Sequence, residues 1–189
     1  MSQFSREEII DKVKQGVSFH SVDLTGADLS YENFKGVDFS GAILKDAHLQ
    51  NTNLENADFT DADLERAFFF GANLNNACFD NAMLKDANLQ DTNLENASFK
   101  NANMEHIKLF GSQTENADFE NANLALARLK RAILKSANFK GANLTRAHLE
   151  RSDITNADFS NANLSKAHLT NAKMENVNFE GAKTNGWRK

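Results

Sequence analysis

Apolar residues recur along this chain at every fifth position, from Phe19 to Phe179, without a slip. The series has 33 members, and Thr114 alone among them is not apolar. The residue two before each member is Ala in 23 of the 33. A helix buries a stripe at a period near 3.6 and a strand at a period of 2; five fits neither. The pattern predicts an array of short units, each too small to bury its own apolar face and stable only when stacked on its neighbours.

A second period overlies the first. Every twentieth residue from Phe19 to Phe179 is Phe, and the next column, from Leu24 to Leu164, is Leu except for Met104. Of the eleven Phe at unit centres, nine fall in the first column, which a bare five-residue period would not produce. Four units therefore close one turn of 20 residues, and like side chains stack on like. No insertion interrupts residues 17–179.

The recurring unit reads A-[D/N]-[L/F]-x-x, as in Ala57-Asp58-Phe59, Ala72-Asn73-Leu74 and Ala162-Asn163-Leu164. It resembles the pentapeptide repeat family across the whole periodic region. The resemblance implies an all-β fold, a right-handed quadrilateral β-helix, with the centre residue and the small residue two before it pointing inward. At one strand spacing per coil, about eight coils would make a rod roughly 40 Å long. Asn or Asp before the centre, and Asn or Gly two after it, suit tight corners. The absence of Pro fits coils that hydrogen-bond through every backbone N–H.

The chain outside the array divides in two. Residues 1–16 predict a capping helix over Phe4–Gln15: Ser5 and Glu8 spell a capping box, Phe4 and Ile9 a hydrophobic staple, Ile9, Ile10 and Val13 an apolar stripe, and Gly16 a stop. The β-helix is expected over residues 17–183, and 184–189 as a tail. Trp187, the single Trp, is a candidate end contact, either folded over the last coil or joining two copies end to end as a homodimer.

Composition then narrows the chemistry. The net charge of −5 opposes general nucleic-acid binding. No apolar run has the length of a signal core or a membrane span, so a cytoplasmic, one-domain protein is expected. Cys78 is the only cysteine and implies no disulfide framework. No nucleophile or phosphate-loop motif occurs, and an interior of Leu, Phe and Ala leaves no cleft, so neither catalysis nor a cofactor is expected. His148 and His168 fall one coil apart; with no carboxylate read beside them, no metal site is expected.

Two walls carry the candidate binding residues. The wall over the Phe column holds Asp38, Asp58, Asp61, Asp80, Asp118, Glu120 and Asp158, and with Glu180 sets eight acids against Lys100 and Lys140. The opposite wall holds Tyr31, Phe68, Phe70, Phe110, Arg128, Lys130 and Arg131. Phe68 and Phe70 flank the inward Phe69 and are expected to point out together, as a protein contact would require. The leading expectation is a non-catalytic rigid scaffold that binds a protein partner. The resemblance implies an alternative, because the family includes DNA-mimicking proteins that bind DNA gyrase and protect it; regularly spaced carboxylates would stand in for phosphates.

Two irregularities carry expectations of their own. Ile107, Ser112 and Thr114 break the pattern within Met104–Glu115, where a bulged coil is expected, and a buried Thr needs a hydrogen bond. Glu32 occupies a small inward position near the capping helix and is expected to turn outward or to pair with a backbone group.

Overall fold

The computed structural model describes residues 4–189. One helix, α1 (Arg6–Lys14), precedes the array. Its N-cap is Ser5, whose hydroxyl accepts from the Glu8 N–H while the Glu8 carboxylate accepts from the Ser5 N–H, so the capping box forms as spelled. At its other end Gly16, with φ of 71°, turns the chain: Val17 N–H reaches Lys12 C=O and Gly16 N–H reaches Val13 C=O, a Schellman closure.

From Asp23 onward the chain winds with a fixed step. Parallel bridges join Asp23 to Ile43, Asp28 to His48, and so on to His168 with Arg188, every one spanning 20 residues. They are single-residue bridges rather than extended strands, because a five-residue unit gives two residues to its corner and leaves little straight backbone. The last six residues, set apart as a tail in the sequence reading, continue this path through Arg188.

The unit around Phe59 shows why the repeat has its composition. Ala57 N–H closes the preceding corner onto Leu54 C=O (3.0 Å), Asp58 N–H reaches back one coil to Val37, and Phe59 and Asp61 N–H reach forward to Cys78 and Asp80. The remaining N–H, of Thr60, is taken by Asp58 Oδ1 at 2.8 Å. All five donors of the unit are thus engaged, which leaves no place for Pro. The Asp or Asn before the centre is an acceptor that completes the corner. The residue two after the centre adopts positive φ throughout, 59° at Asp61 for example, as the third position of a type II turn requires. Asn tolerates that region best among residues with a Cβ.

Inside, the Phe column stacks ring on ring. From Phe39 to Phe159 the centroids are 4.6–5.2 Å apart and the planes within 2–7° of parallel. Coil spacing sets this distance, and offset stacking at that separation is favourable. Phe69 meets the column edge-on, 5.9 Å from Phe59 and 6.1 Å from Phe79.

Met104–Glu115 does not bulge, contrary to expectation. The bridges run through it in register, and Ile107, Ser112 and Thr114 are all fully buried. Thr114 Oγ1 donates to Ile133 C=O at 2.8 Å and Ser112 Oγ to Leu109 C=O at 2.8 Å, so each hydroxyl is satisfied within the coil. The same solution serves Thr92 and Ser152, which occupy Ser112's corner in other coils. Glu32 pairs with a side chain rather than with backbone: Arg6 Nη2 lies 2.7 Å from its Oε1. The same guanidinium donates to Asp28 C=O and Ser30 C=O, so Arg6 pins α1 across the first coil while Ile9 buries beneath it.

Candidate interaction surfaces

The bridges fix which side chains share a wall. One column runs Asp38, Asp58, Cys78, Ser98, Asp118, Asn138, Asp158, Asn178. Of the acidic residues named from sequence, Asp38, Asp58, Asp118 and Asp158 share this column, and each is engaged in a corner. Asp38 accepts from Ser18 Oγ (2.6 Å), Ser40 Oγ (2.6 Å) and Ser40 N–H (2.9 Å). The Ser18 hydrogen bond, followed by those from Ser40, holds the Asp38 carboxyl below its usual value. Asp118 accepts from Glu120 N–H and Asn138 Nδ2 and pairs with Lys100 Nζ at 3.2 Å. Asp158 accepts from Ser160 N–H and Asn178 Nδ2. Asp80 receives Lys100 N–H, and Asp61 stands exposed at its corner. Glu120 is half-buried. The gaps at Asn138 and Asn178 follow from the same rule, since an amide oxygen closes the corner as a carboxylate does: Asn138 Oδ1 accepts Lys140 N–H at 3.0 Å.

The opposite column runs Asp28, His48, Phe68, Asn88, Lys108, Arg128, His148, His168, Arg188. Phe68, Lys108 and Arg128 carry no acceptor and cannot close a corner. Phe68 is half-buried against the His48 ring (5.1 Å between centroids), whereas Phe70 is 44% and Tyr31 74% exposed. The expected outward pairing of Phe68 and Phe70 thus gives way to a division: Phe68 covers His48, and Phe70 faces a groove of about 310 Å³ shared with Tyr31, His48 and Gln50. Phe110 is half-buried with the Arg131 guanidinium 5.7 Å from its ring centre. A second groove, about 410 Å³, lies between Gln90, Phe110, Arg128, Lys130, His148 and Glu150.

Glu150 was missed as a partner of the histidines. The reading that no carboxylate stands beside them is corrected by the geometry: Glu150 Oε1 lies 3.1 Å from His148 Nδ1 and 3.8 Å from His168 Nδ1, and the two imidazoles are 4.7 Å apart. The residues before and after a centre share one side of the rod, as Ser40 Oγ on Asp38 shows. The spelling His-x-Glu, with a second His 20 residues after the first, was the available signal. Burial pushes the Glu150 carboxyl up, but the His148 hydrogen bond and the two imidazoles outweigh it and bring it below its usual value.

At the C-terminal end Trp187 lies edge-on to Phe179, 5.3 Å between centroids at 89°, with Lys189 Nζ over its indole at 4.3 Å. It therefore folds onto the last coil, where Met174, Phe179 and Trp187 all stay half-buried. No helix among the described residues is long and apolar enough to cross a membrane.

No curated protein matches as a relative. Among solved structures, HetL, a pentapeptide repeat protein involved in heterocyst differentiation regulation from the cyanobacterium Nostoc sp. Strain PCC 7120, is similar at 24% identity and a TM-score of 0.52, over 98% of this chain and 95% of that one. Full-length QnrB1, a plasmid-mediated fluoroquinolone resistance protein, is similar at 22% identity and a TM-score of 0.53, over 83% of this chain and 93% of that one. At these identities the likeness is one of fold. The pentapeptide repeats profile matches residues 18–55, 44–76 and 142–181, and the pentapeptide repeat region profile matches 62–139. With its 20-residue step, its inward Ala and Phe or Leu, and these matches across most of its length, the chain belongs to the pentapeptide repeat family.

Proposed function

We propose that this protein is a non-catalytic rigid scaffold, acting in the cytoplasm, that presents its aromatic and basic wall to a protein partner. One observation carries the reading. Before the centre, where the fold calls for Asp or Asn, this wall has an unbroken run of Lys108, Arg128, His148, His168 and Arg188. Local structure does not ask for those side chains, so the surface does. Phe110 and Arg131 stand beside the run, and Tyr31 and Phe70 extend an apolar contact toward α1. Exposed aromatics with Arg are what protein interfaces favour, and the positive charge suits a partner with an acidic face.

A second reading, a DNA mimic directed at DNA gyrase, draws on the Asp38–Asp158 column and the resemblance of fold to QnrB1. The corner bonds weigh against it, since they account for Asp at these positions without any partner. One experiment separates the two. A variant with Phe70→Ser, Phe110→Ser and Arg131→Glu is compared with one carrying Asp38→Asn, Asp58→Asn, Asp118→Asn and Asp158→Asn, which keeps every corner acceptor. Partner capture lost in the first and kept in the second is expected. The reverse, with gyrase supercoiling inhibited by wild type and by the first variant but not by the second, would establish mimicry instead. We place any self-association at the half-buried last coil; light scattering of wild type against Trp187→Ala reads it.

A further inference from the structure

One cluster on the basic wall has a chemistry that protein docking does not use. The ligating atoms of His148, Glu150 and His168 all lie within 4.8 Å of one another, supplied by two successive coils. A tetrahedral ion with bonds of about 2.0–2.1 Å holds its donors about 3.3 Å apart. The 3.1 Å and 3.8 Å separations from Glu150 Oε1 to the two Nδ1 atoms bracket that value, and the two imidazoles offer ligating nitrogens within 4.8 Å of each other. A second observation concerns the other carboxylate oxygen: Glu150 Oε2 is buried and has no hydrogen-bond partner. A buried, unpaired carboxylate oxygen is costly and calls for a cation or a donor. His48 and Gln50 have the same register, and Gln50 Oε1 is likewise buried without a partner, but there an amide stands in place of the carboxylate and Phe68 in place of the second imidazole.

We infer that His148, Glu150 and His168 form a binding site for a borderline divalent transition-metal ion, zinc above all, held by two imidazole nitrogens and one carboxylate. Imidazole-rich sets suit this class, whereas Mg²⁺ and Ca²⁺ take oxygen ligands. His148 and Glu150 line the groove beside Phe110 and Lys130, which leaves room for water or an anion as a fourth ligand. Arg128 and Arg188 flank the cluster in its column and favour an anionic fourth ligand. The ion would tie two coils together on the proposed binding wall, but the site needs no partner to fill.

Cobalt(II) serves as the probe on the full, metal-free chain. Visible absorption saturating at one equivalent, displaced by Zn²⁺ and untouched by Mg²⁺, is the expected result. His168→Ala and Glu150→Gln should each weaken Zn²⁺ binding about tenfold or more, while His48→Ala leaves it unchanged; circular dichroism verifies that each variant folds. Zn²⁺ binding of undiminished strength in a His148→Ala, His168→Ala double variant, or no binding by wild type at equimolar metal and protein, would overturn the site. Neither result bears on the scaffold reading, which the wall variants test separately.

Discussion

The two ends of the rod are built from the same unit and finished differently. At the first coil Phe19, Leu24, Leu29 and Phe34 are at most 1% exposed, because α1 lies over them with Ile9 buried and Arg6 bonded to Asp28, Ser30 and Glu32. At the last coil Met174 and Phe179 are half-buried, and Trp187 meets Phe179 only edge-on. Yet the ring stack loosens alike at both ends: Phe19–Phe39 and Phe159–Phe179 are each 5.5 Å apart, tilted by 23° and 21°, against 2–7° within. The helix excludes water from the terminal ring but does not bring it parallel to its neighbour. Burial and ring order are separable here, since parallel stacking needs a like neighbour on both sides and burial needs only a cover.

Removing rings tests this separation most severely. Phe99→Ala is expected to cost about 3–5 kcal/mol, the range for a large buried side chain that leaves a cavity. Phe179→Ala should cost only about 1–2 kcal/mol, because its side chain is already partly in water. Denaturant unfolding of the two variants measures the gap, and equal costs would mean that the last coil is as well packed as the middle. Arg6→Ala comes next, at about 1–2 kcal/mol, from lost hydrogen bonds to backbone carbonyls and a half-exposed ion pair. Its mark is local: amide exchange should quicken in the first coil and stay unchanged in the last. Thr114→Leu works in the opposite direction. Leu94 and Leu134 stack above and below it in the same column, so Leu fits, and a gain of about 1 kcal/mol is expected; a loss would show that the Thr114 bond to Ile133 outweighs the added burial.

The smallest effect is electrostatic. Asp38 titrates below its ordinary value near 3.8, first because of Ser18 and then Ser40. A depressed folded-state value contributes stability that is present above the ordinary value and lost as pH falls through the folded one. Ser18→Ala should therefore move the Asp38 titration upward and bring acid destabilisation of the first coil to a higher pH. Carboxyl NMR reads the shift directly, and an unmoved midpoint would remove Ser18 as its cause.

The five- and twenty-residue periods made the register and the columns legible, and the three-residue spacing of Ser5 and Glu8 did the same for the capping box, because each depends on spacing alone. What stayed hidden depends on contacts across a corner. Glu150 and His148 sit one on each side of Leu149, and only the corner geometry turns both side chains to one side. Asp38 and Asp118 looked like free surface charge, because their backbone partners cannot be seen in a side-chain pattern. Thr114 and Ser112 looked like flaws, and each has a carbonyl within reach. Glu32 looked misplaced until Arg6 arrived from a separate element.

The uniform 20-residue step has a consequence for how such a gene can change its length. Excising five codons would rotate everything downstream by a quarter turn, set Phe against Leu, and carry the basic wall around to another side of the rod. Duplication or loss of a whole coil would leave every column intact. Sequences of this kind should therefore grow and shrink by recombination in multiples of 20, while their outward residues drift freely from one copy to the next.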